Sequence, residues 1–253
     1  MLAADLRRDV LKGERVDGAM IFEFFSPGIA QLLVHAGCRF VIYDMEHAGT
    51  GLETLKSQFA HARGLPIVPM TRVPRSDYHF IARALDVGAK GIMVPMVESA
   101  EQAHAIAEAS KYPPVGRRGA AFGFAHDDYL AGSPALKIAS ANESVTVIAQ
   151  IETERGLASV EQIAAVAGID VLWVGHFDLT NFLGIPGQFD HPDYVAALDR
   201  VTAAARAHGK GLGFMAADAA TAQAYRARGF NMIAAGTDMA CLVSGMRAIL
   251  ADA

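Results

Sequence analysis

The fold prediction starts from residues 41–47, Val41-Ile42-Tyr43-Asp44-Met45-Glu46-His47. Its first residues are apolar and branched or aromatic, as in a buried β-strand, and three ionisable residues follow within four positions. Other apolar runs also end in polar side chains: Ile67–Thr71 before Arg72, Val145–Ala149 before Gln150 and Glu152, and Val171–Val174 before His176 and Asp178. A fold that gathers the carboxyl ends of its parallel strands at one face would join these residues in a single site.

Strand-like runs of this kind alternate with Ala-rich runs whose apolar residues recur three and four positions apart, the helical spacing. We predict eight strands, at Ala19–Phe24, Phe40–Asp44, Ile67–Thr71, Gly91–Pro95, Val145–Ile151, Val171–Gly175, Gly211–Met215 and Asn231–Ala235. The helices are predicted at Leu52–Arg63, Tyr78–Val87, Ala100–Ser110, Ser133–Ala141, Val160–Ala167, Tyr194–His208, Thr221–Arg228 and Met239–Ala251. Several helices are expected to end in a left-handed glycine, at Gly37, Gly64, Gly88, Gly168, Gly209 and Gly229.

Eight strand–helix repeats, with short connections from each helix to the next strand, predict an α/β protein. We expect a single (β/α)8 TIM barrel that spans residues 1–253 as one domain. An open doubly wound sheet remains the alternative, because strand order cannot be derived from sequence. A dinucleotide-binding version of that sheet is disfavoured, since no strand is followed by a G-x-G-x-x-G turn.

Composition and charge narrow the range of partners and compartments that the protein could have. The formal net charge is −5, and no basic cluster exceeds Arg117-Arg118, so we expect neither a nucleic acid nor a membrane surface as partner. The two cysteines, Cys38 and Cys241, fit no disulfide or metal spacing and are expected to be buried thiols in a reducing compartment. The N-terminal residues mix acidic and basic side chains with leucine, unlike a signal peptide, so a cytoplasmic protein is expected.

Two carboxylates suggest a metal site. Gln150 and Glu152 are two residues apart and therefore share one face of their strand, and Asp178 follows the next strand. Polar groups at the end of an apolar strand need water, a partner or a metal. Carboxylates without cysteine favour a hard divalent ion such as Mg²⁺, Mn²⁺ or Co²⁺, with coordination positions left for a chelating substrate. The alternative is that both acids are merely solvated at loop ends.

Two further residues could carry chemistry. His47 near Asp44 and Glu46 is a possible base that the carboxylates orient, or else a structural histidine. Arg72 could hold a carboxylate or a developing oxyanion, or could simply pair with a strand-end acid such as Asp44. No lysine falls at the carboxyl end of a predicted strand, which argues against Schiff-base chemistry.

Taken together, five short motifs resemble the HpcH/HpaI aldolase family, which comprises metal-dependent (class II) pyruvate aldolases similar to 4-hydroxy-2-oxoheptanedioate aldolase. The resemblance extends over most of the chain in the same order. Its motifs are Tyr43-Asp44-Met45-Glu46-His47-Ala48, Val94-Pro95-Met96-Val97, Tyr112-Pro113-Pro114 with Arg118-Gly119, Gln150-Ile151-Glu152-Thr153 and Gly175-His176-Phe177-Asp178-Leu179.

The resemblance implies a (β/α)8 barrel, a hexamer built as a dimer of trimers, and terminal helices exchanged between subunits. It implies that Glu152 and Asp178 bind the divalent ion that a 2-oxoacid such as pyruvate chelates. Gln150 would help to hold the oxoacid, Arg72 would stabilise the enolate oxygen, and His47 would be the acid or base, with Asp44 beside it.

The resemblance also implies roles at the edges of the site. Asp86 matches a family position that raises the basicity of the histidine. Because it precedes the fourth strand, at the far rim of its own barrel, we expect it to act on a neighbouring subunit's site. In strand six the family has Gly-Pro-Ala-Asp-Leu, whereas this chain carries His176 and Phe177 between Gly175 and Asp178.

The backbone around Gly175, Phe177 and Asp178 would hold the oxoacid, and the bulk of Phe177 could alter donor size. Candidate specificity walls are Met215 with its neighbour Phe214, and the loop at Phe122–His126. Aromatic core or lid packing is the alternative for these positions.

These expectations define a lyase that forms or cleaves a C–C bond between the enolate of pyruvate or a substituted pyruvate and an aldehyde. Two other enzymes could use related chemistry: an oxaloacetate decarboxylase, which yields the same enolate, and a CoA-thioester lyase, disfavoured because no basic stripe suits the CoA phosphates. A non-catalytic barrel that binds a metabolite and regulates a partner is the alternative outside enzymes.

Overall fold

Eight parallel strands close into a barrel in sequence order in the computed structural model, which describes residues 2–251. Each strand pairs with its neighbours in sequence, and the first pairs with the eighth. The predicted (β/α)8 barrel is therefore confirmed, and the open sheet is excluded. The strands are β1 (Val16–Ile21), β2 (Phe40–Asp44), β3 (Val68–Arg72), β4 (Gly91–Val94), β5 (Thr146–Ile151), β6 (Val171–Val174), β7 (Gly211–Ala216) and β8 (Met232–Thr237).

Helices surround the barrel, and a short 3₁₀ turn, Ala125–Asp127, lies in the long connection between β4 and β5. No helix among residues 2–251 is long and apolar enough to cross a membrane. The helices are α1 (Leu2–Leu11), α2 (Ile29–His35), α3 (Leu52–Ala62), α4 (Tyr78–Asp86), α5 (Ala100–Ser110), α6 (Pro134–Ser144), α7 (Glu154–Ala158), α8 (Val160–Ala165), α9 (His176–Phe182), α10 (Pro192–Ala207), α11 (Ala219–Ala227) and α12 (Asp238–Leu250).

The alternation of side chains along each strand divides the apolar core into two layers. In β2, Phe40 and Ile42 belong to the cluster that fills the barrel, whereas Val41 and Tyr43 belong to the layer between sheet and helices. The interior is thus packed with side chains, and strand-end residues are the ones left to face the carboxyl-terminal mouth.

Helix α1 packs against the filled interior of the barrel, where Leu6 and Val10 are fully buried. The sequence did not predict this helix, because most of its side chains are charged or small and only these two are buried. Its burial positions the amino-terminal rim and leaves the carboxyl-terminal mouth as the open end.

Element ends differ from the predictions by a few residues. Strand β1 ends at Ile21 rather than at Phe24, so Phe22–Phe24 lie in the mouth loop. Helix α2 is the helix expected to end at Gly37, whereas the short helices α7 and α9 were not predicted, since each is too short to display a helical repeat. Gly168 does not adopt the predicted left-handed conformation, although the other five named glycines do.

Helices α6 and α12 bury no residue within this chain. On α12 the exposed apolar side chains include Leu242, Met246, Ile249 and Leu250. Cys241, on the same helix, is an exposed thiol and Cys38 is half-buried, so the prediction of two buried cysteines was wrong. These apolar side chains of α12 therefore stay largely exposed in the described part of the chain.

Candidate active site

The barrel mouth collects the strand-end residues from two pairs of neighbouring strands, β2 with β3 and β5 with β6. Asp44 ends β2 and lies in register with Arg72, which ends β3. Glu152 directly follows β5, and Asp178 lies in the first turn of α9, after β6. Closure of the barrel brings these strand ends to one face, as predicted from the polar residues that end the apolar runs.

Arg72 is buried between two acids. Its Nε donates a 2.5 Å hydrogen bond to Asp44 Oδ1, and its Nη1 lies 2.9 Å from Glu46 Oε2. The guanidinium carbon is 5.5 Å from the centre of the Phe22 ring. The predicted alternative, a salt bridge with Asp44, is confirmed, and it fixes the guanidinium at the mouth without removing its charge.

His47 lies at the rim of the same cluster. Its backbone N–H donates to Asp44 Oδ2 at 2.6 Å, and its exposed ring places Nε2 3.7 Å from Glu46 Oε2. Asp44 thus positions both Arg72 and the turn that carries His47. The imidazole itself is near Glu46 and open to solvent, where a substrate can reach it.

Glu152 is 1% exposed and is held from two sides. Its Oε1 accepts a 2.7 Å bond from the Met96 N–H, and its Oε2 accepts one from Gln150 Nε2. Burial raises the pKa of Glu152 to about 7, and the charges of Glu46 and Asp178 act in the same direction.

Sequence reasoning missed the role of Met96. Its φ of 53° is uncommon for a residue with a side chain, and its amide N–H meets the carboxylate of Glu152. The only sequence signal was its place in the motif Val94-Pro95-Met96-Val97, to which no role was assigned.

Glu46 connects the acids to the arginine. Burial raises the pKa of Glu46, the Arg72 charge lowers it, and the charges of Asp44 and Asp178 raise it. Glu46, Glu152, Asp178 and Arg72 therefore form one electrostatic cluster at the mouth.

The donor set of this cluster fits a hard divalent cation. Glu152 and Asp178 repel each other when both are ionised, and the buried Gln150 Oε1 has no hydrogen-bond partner. Oxygen donors and unsatisfied negative charge are what Mg²⁺ or Mn²⁺ requires. Among residues 2–251 no group of three or more acidic, histidine or cysteine side chains is positioned to coordinate one metal ion. The metal site at Glu152 and Asp178 therefore stays a prediction.

Gly175 lies directly against the Glu152 carboxylate. A Cβ at this position would overlap Glu152 Oε2 and would approach the Cβ of Glu152 at 2.8 Å. A side chain at position 175 therefore competes for the space that the carboxylate occupies.

We expect Gly175→Ala to weaken divalent-cation binding by about tenfold or more, because the new methyl group displaces a carboxylate that must be held within a few tenths of an ångström. Calorimetric titration with Mn²⁺ measures this change. Gly184→Ala provides the control, since a Cβ there meets no atom within 4 Å, although its positive φ adds some strain. Equal Mn²⁺ affinity in native protein and Gly175→Ala would contradict the close packing.

Aromatic rings border the site after β6. The His176 ring packs against Phe177, Phe189 and Phe214 with centroid distances of 4.5, 5.3 and 4.7 Å. Burial lowers the pKa of His176 to about 4, so this imidazole is neutral near pH 7. Phe177, by contrast, is 61% exposed.

The structure places the two candidate specificity walls in different parts of the barrel. Phe214 is buried and stacks on Tyr225 at 3.5 Å, in the layer between sheet and helices, which confirms core packing as its role. Met215 is half-buried and packs with the barrel interior. The loop at Phe122–His126 lies at the opposite rim, where Lys90, just before β4, donates to the His126 carbonyl at 2.7 Å. This loop is therefore not a wall of its own chain's site.

Asp86 ends α4 at the same opposite rim, as expected from its position before β4. Its Oδ1 lies 2.6 Å from Nη2 of the buried Arg118. Within this chain the structure thus keeps Asp86 apart from Asp44, His47 and Arg72.

A closed (β/α)8 barrel with acids, an arginine and a histidine at its carboxyl-terminal mouth has the arrangement of the barrel enzymes, whose active sites lie at this face. The family model described as HpcH/HpaI aldolase/citrate lyase matches residues 20–244. The chain belongs to this family and is a carbon–carbon lyase of the aldolase type.

Characterised relatives agree with this assignment. The chain is 34% identical to a hydroxypyruvate/pyruvate aldolase of Roseovarius nubinhibens over 90% of this chain and 88% of the relative. It is 35% identical to a 5-keto-4-deoxy-D-glucarate aldolase of Salmonella paratyphi C over 85% of this chain and 83% of the relative. The crystal structure of an HpcH/HpaI aldolase from Desulfitobacterium hafniense superposes with a TM-score of 0.92 at 31% identity, covering 98% of this chain and 95% of the other.

Proposed function

We propose that this protein is a divalent-metal-dependent aldolase that joins the enolate of pyruvate, or of a substituted pyruvate, to an aldehyde and catalyses the reverse cleavage. The observation that carries the proposal is the cluster in which Glu46 links the Arg72 guanidinium to the Glu152 and Asp178 carboxylates. A cation site next to a fixed guanidinium is what an enolate needs, since its charge develops on oxygen.

In this proposal Glu152 and Asp178 hold Mg²⁺, Mn²⁺ or Co²⁺. The bound ion supplies Lewis-acid polarisation of the keto oxygen, which acidifies the adjacent C–H. Gln150 helps to hold the oxoacid, and Gly175 leaves room for the carboxylate of Glu152. The backbone at Phe177 and the side chain of Met215 border the oxoacid.

The remaining residues act on charge and protons. Arg72, held by Asp44, faces the developing enolate oxygen and stabilises it. In the direction of cleavage His47 accepts the proton of the substrate hydroxyl, and in synthesis it returns a proton to the new alkoxide. Glu46 Oε2 lies 3.7 Å from the imidazole Nε2.

Assembly completes the proposal. We infer that the chain forms a hexamer, a dimer of trimers, in which each single-domain barrel exchanges α12 with a neighbour, because the exposed apolar side chains of α12 need a surface to pack on. Asp86 then acts on His47 of a neighbouring subunit, since its own mouth is at the other end of the barrel. The protein works in the cytoplasm on small molecules, without a nucleic-acid or membrane partner.

The direct test uses the native protein with pyruvate and Mg²⁺ in D2O, followed by NMR. We expect the pyruvate methyl protons to exchange for deuterium, to stop exchanging in excess EDTA, and to resume when Mg²⁺, Mn²⁺ or Co²⁺ is restored. Full exchange in chelator would refute the metal role. A protein that binds pyruvate without any exchange would be a metabolite-binding barrel rather than an aldolase.

A further inference from the structure

Three aromatic rings form a continuous surface at the mouth, and we call His176, Phe177 and Phe189 the aromatic wall. The centre of the Phe177 ring lies 4.5 Å from that of His176 and 5.3 Å from that of Phe189. The rings of His176 and Phe189 also pack on each other, with their centres 5.3 Å apart. Although two contacts fix the Phe177 ring, 61% of this residue stays exposed. A fixed, exposed ring is apolar area whose burial by a ligand is favourable.

The wall directly adjoins the reacting groups. Phe177 precedes Asp178 in the first turn of α9, and Gly175 at the start of that turn touches Glu152. An aldehyde that approaches an oxoacid bound at the proposed cation site of Glu152 and Asp178 therefore arrives beside the Phe177 ring.

The charges around the mouth decide what kind of aldehyde suits this wall. In the eight loops that follow the strands, and in the first helical turn after each, the described chain has two arginines, Arg75 and Arg155, and no lysine; Arg72 stands at the end of β3 itself. Each arginine is paired with acids: Arg72 with Asp44 and Glu46, Arg75 with Asp77, and Arg155 with Glu98.

The same loops carry further acids, at Glu23, Asp178, Asp218 and Asp238. An aldehyde with its own carboxylate would thus meet negative charge and no free cation of this chain. An uncharged aldehyde avoids that repulsion and can bury its apolar part on the wall.

We propose that the aromatic wall binds the acceptor aldehyde and selects an uncharged aromatic aldehyde over one that carries a carboxylate. This inference rests on the aldolase function proposed above. In the step concerned, C3 of the enolised oxoacid forms a bond to the aldehyde carbon. The carbonyl π electrons move to oxygen, which takes up a proton equivalent to the one lost from C3, so no oxidant or reductant is needed.

The test compares benzaldehyde with glyoxylate, the smallest aldehyde with a carboxylate, as acceptors for pyruvate. We expect native protein to have the higher kcat/KM for benzaldehyde, and Phe177→Ala to lower the benzaldehyde-to-glyoxylate ratio by about tenfold. Using the ratio cancels any general loss of activity. Phe177→Arg supplies the missing cation and should move the ratio further toward glyoxylate.

Phe182→Ala is the matched control, because Phe182 lies on the same helix, is 49% exposed and is not part of the wall. Its ratio should equal that of the native protein. Equal ratios in native protein and Phe177→Ala, or a native preference for glyoxylate, would overturn the inference. Pyruvate methyl exchange without any aldehyde separates the two proposals: if it occurs while the ratios stay equal, only the wall assignment fails, and if it is absent in native protein, both fail.

Discussion

Replacing Arg72 with alanine is expected to lower kcat by roughly a hundred- to a thousandfold, the usual effect of removing one group that stabilises a developing oxyanion. Divalent-cation affinity should change far less, because Arg72 contacts Asp44 and Glu46 rather than the proposed metal ligands. Steady-state kinetics and Mn²⁺ titration measure the two quantities separately.

Arg72→Ala also leaves Asp44 buried without its partner, which costs about 3–5 kcal/mol of stability. Arg72→Lys is therefore the second variant, since it keeps the charge but not the planar group that contacts two acids at once. We expect a folded Arg72→Lys protein with strongly reduced kcat. Arg75→Ala, in the same loop but exposed and paired only with Asp77, is the control. Native kcat in Arg72→Lys and in a folded Arg72→Ala would remove Arg72 from the mechanism.

Replacing Glu152 with glutamine is expected to abolish saturable Mn²⁺ binding and with it pyruvate methyl exchange. The amide keeps the size of the side chain and can still accept the Met96 N–H bond, but it carries no charge for a divalent ion. We expect a fall in the exchange rate of at least about a thousandfold, comparable to removing the metal itself.

Glu154→Gln removes the same charge two positions later, on an exposed residue of α7, and should bind Mn²⁺ as the native protein does. Thermal unfolding of both variants in chelator shows whether each is folded, and we expect the two to unfold within a few degrees of each other. If Glu152→Gln bound Mn²⁺ normally, the metal site would have to lie elsewhere.

The sequence was sufficient for the architecture because the relevant signals are local. Eight apolar runs of strand length alternate with helical periodicity, and positive-φ glycines such as Gly64 and Gly209 end helices where predicted. Where the local signal is weak, the prediction failed. Helix α1 was missed because it buries only Leu6 and Val10. The last residues predicted for β1 belong instead to the loop at the barrel mouth.

Residues of the site were also visible in sequence, since Asp44, Arg72 and Glu152 each stand where a strand ends. Their partners were not. The pairing of Arg72 with both Asp44 and Glu46 and the Met96 amide bond to Glu152 depend on barrel closure and register. The displacement of the Phe122–His126 loop to the opposite rim was likewise beyond sequence reasoning.

The order of strands and helices and the residue types at the strand ends could therefore be derived from the sequence, because side-chain periodicity and backbone preferences act between near neighbours along the chain. The folded barrel was needed to show which charges pair with one another, which carboxylate is buried, and that Phe177, next to Asp178, is exposed. These properties depend on distances between residues far apart in sequence and on their exclusion from water, and both arise only when the barrel has closed.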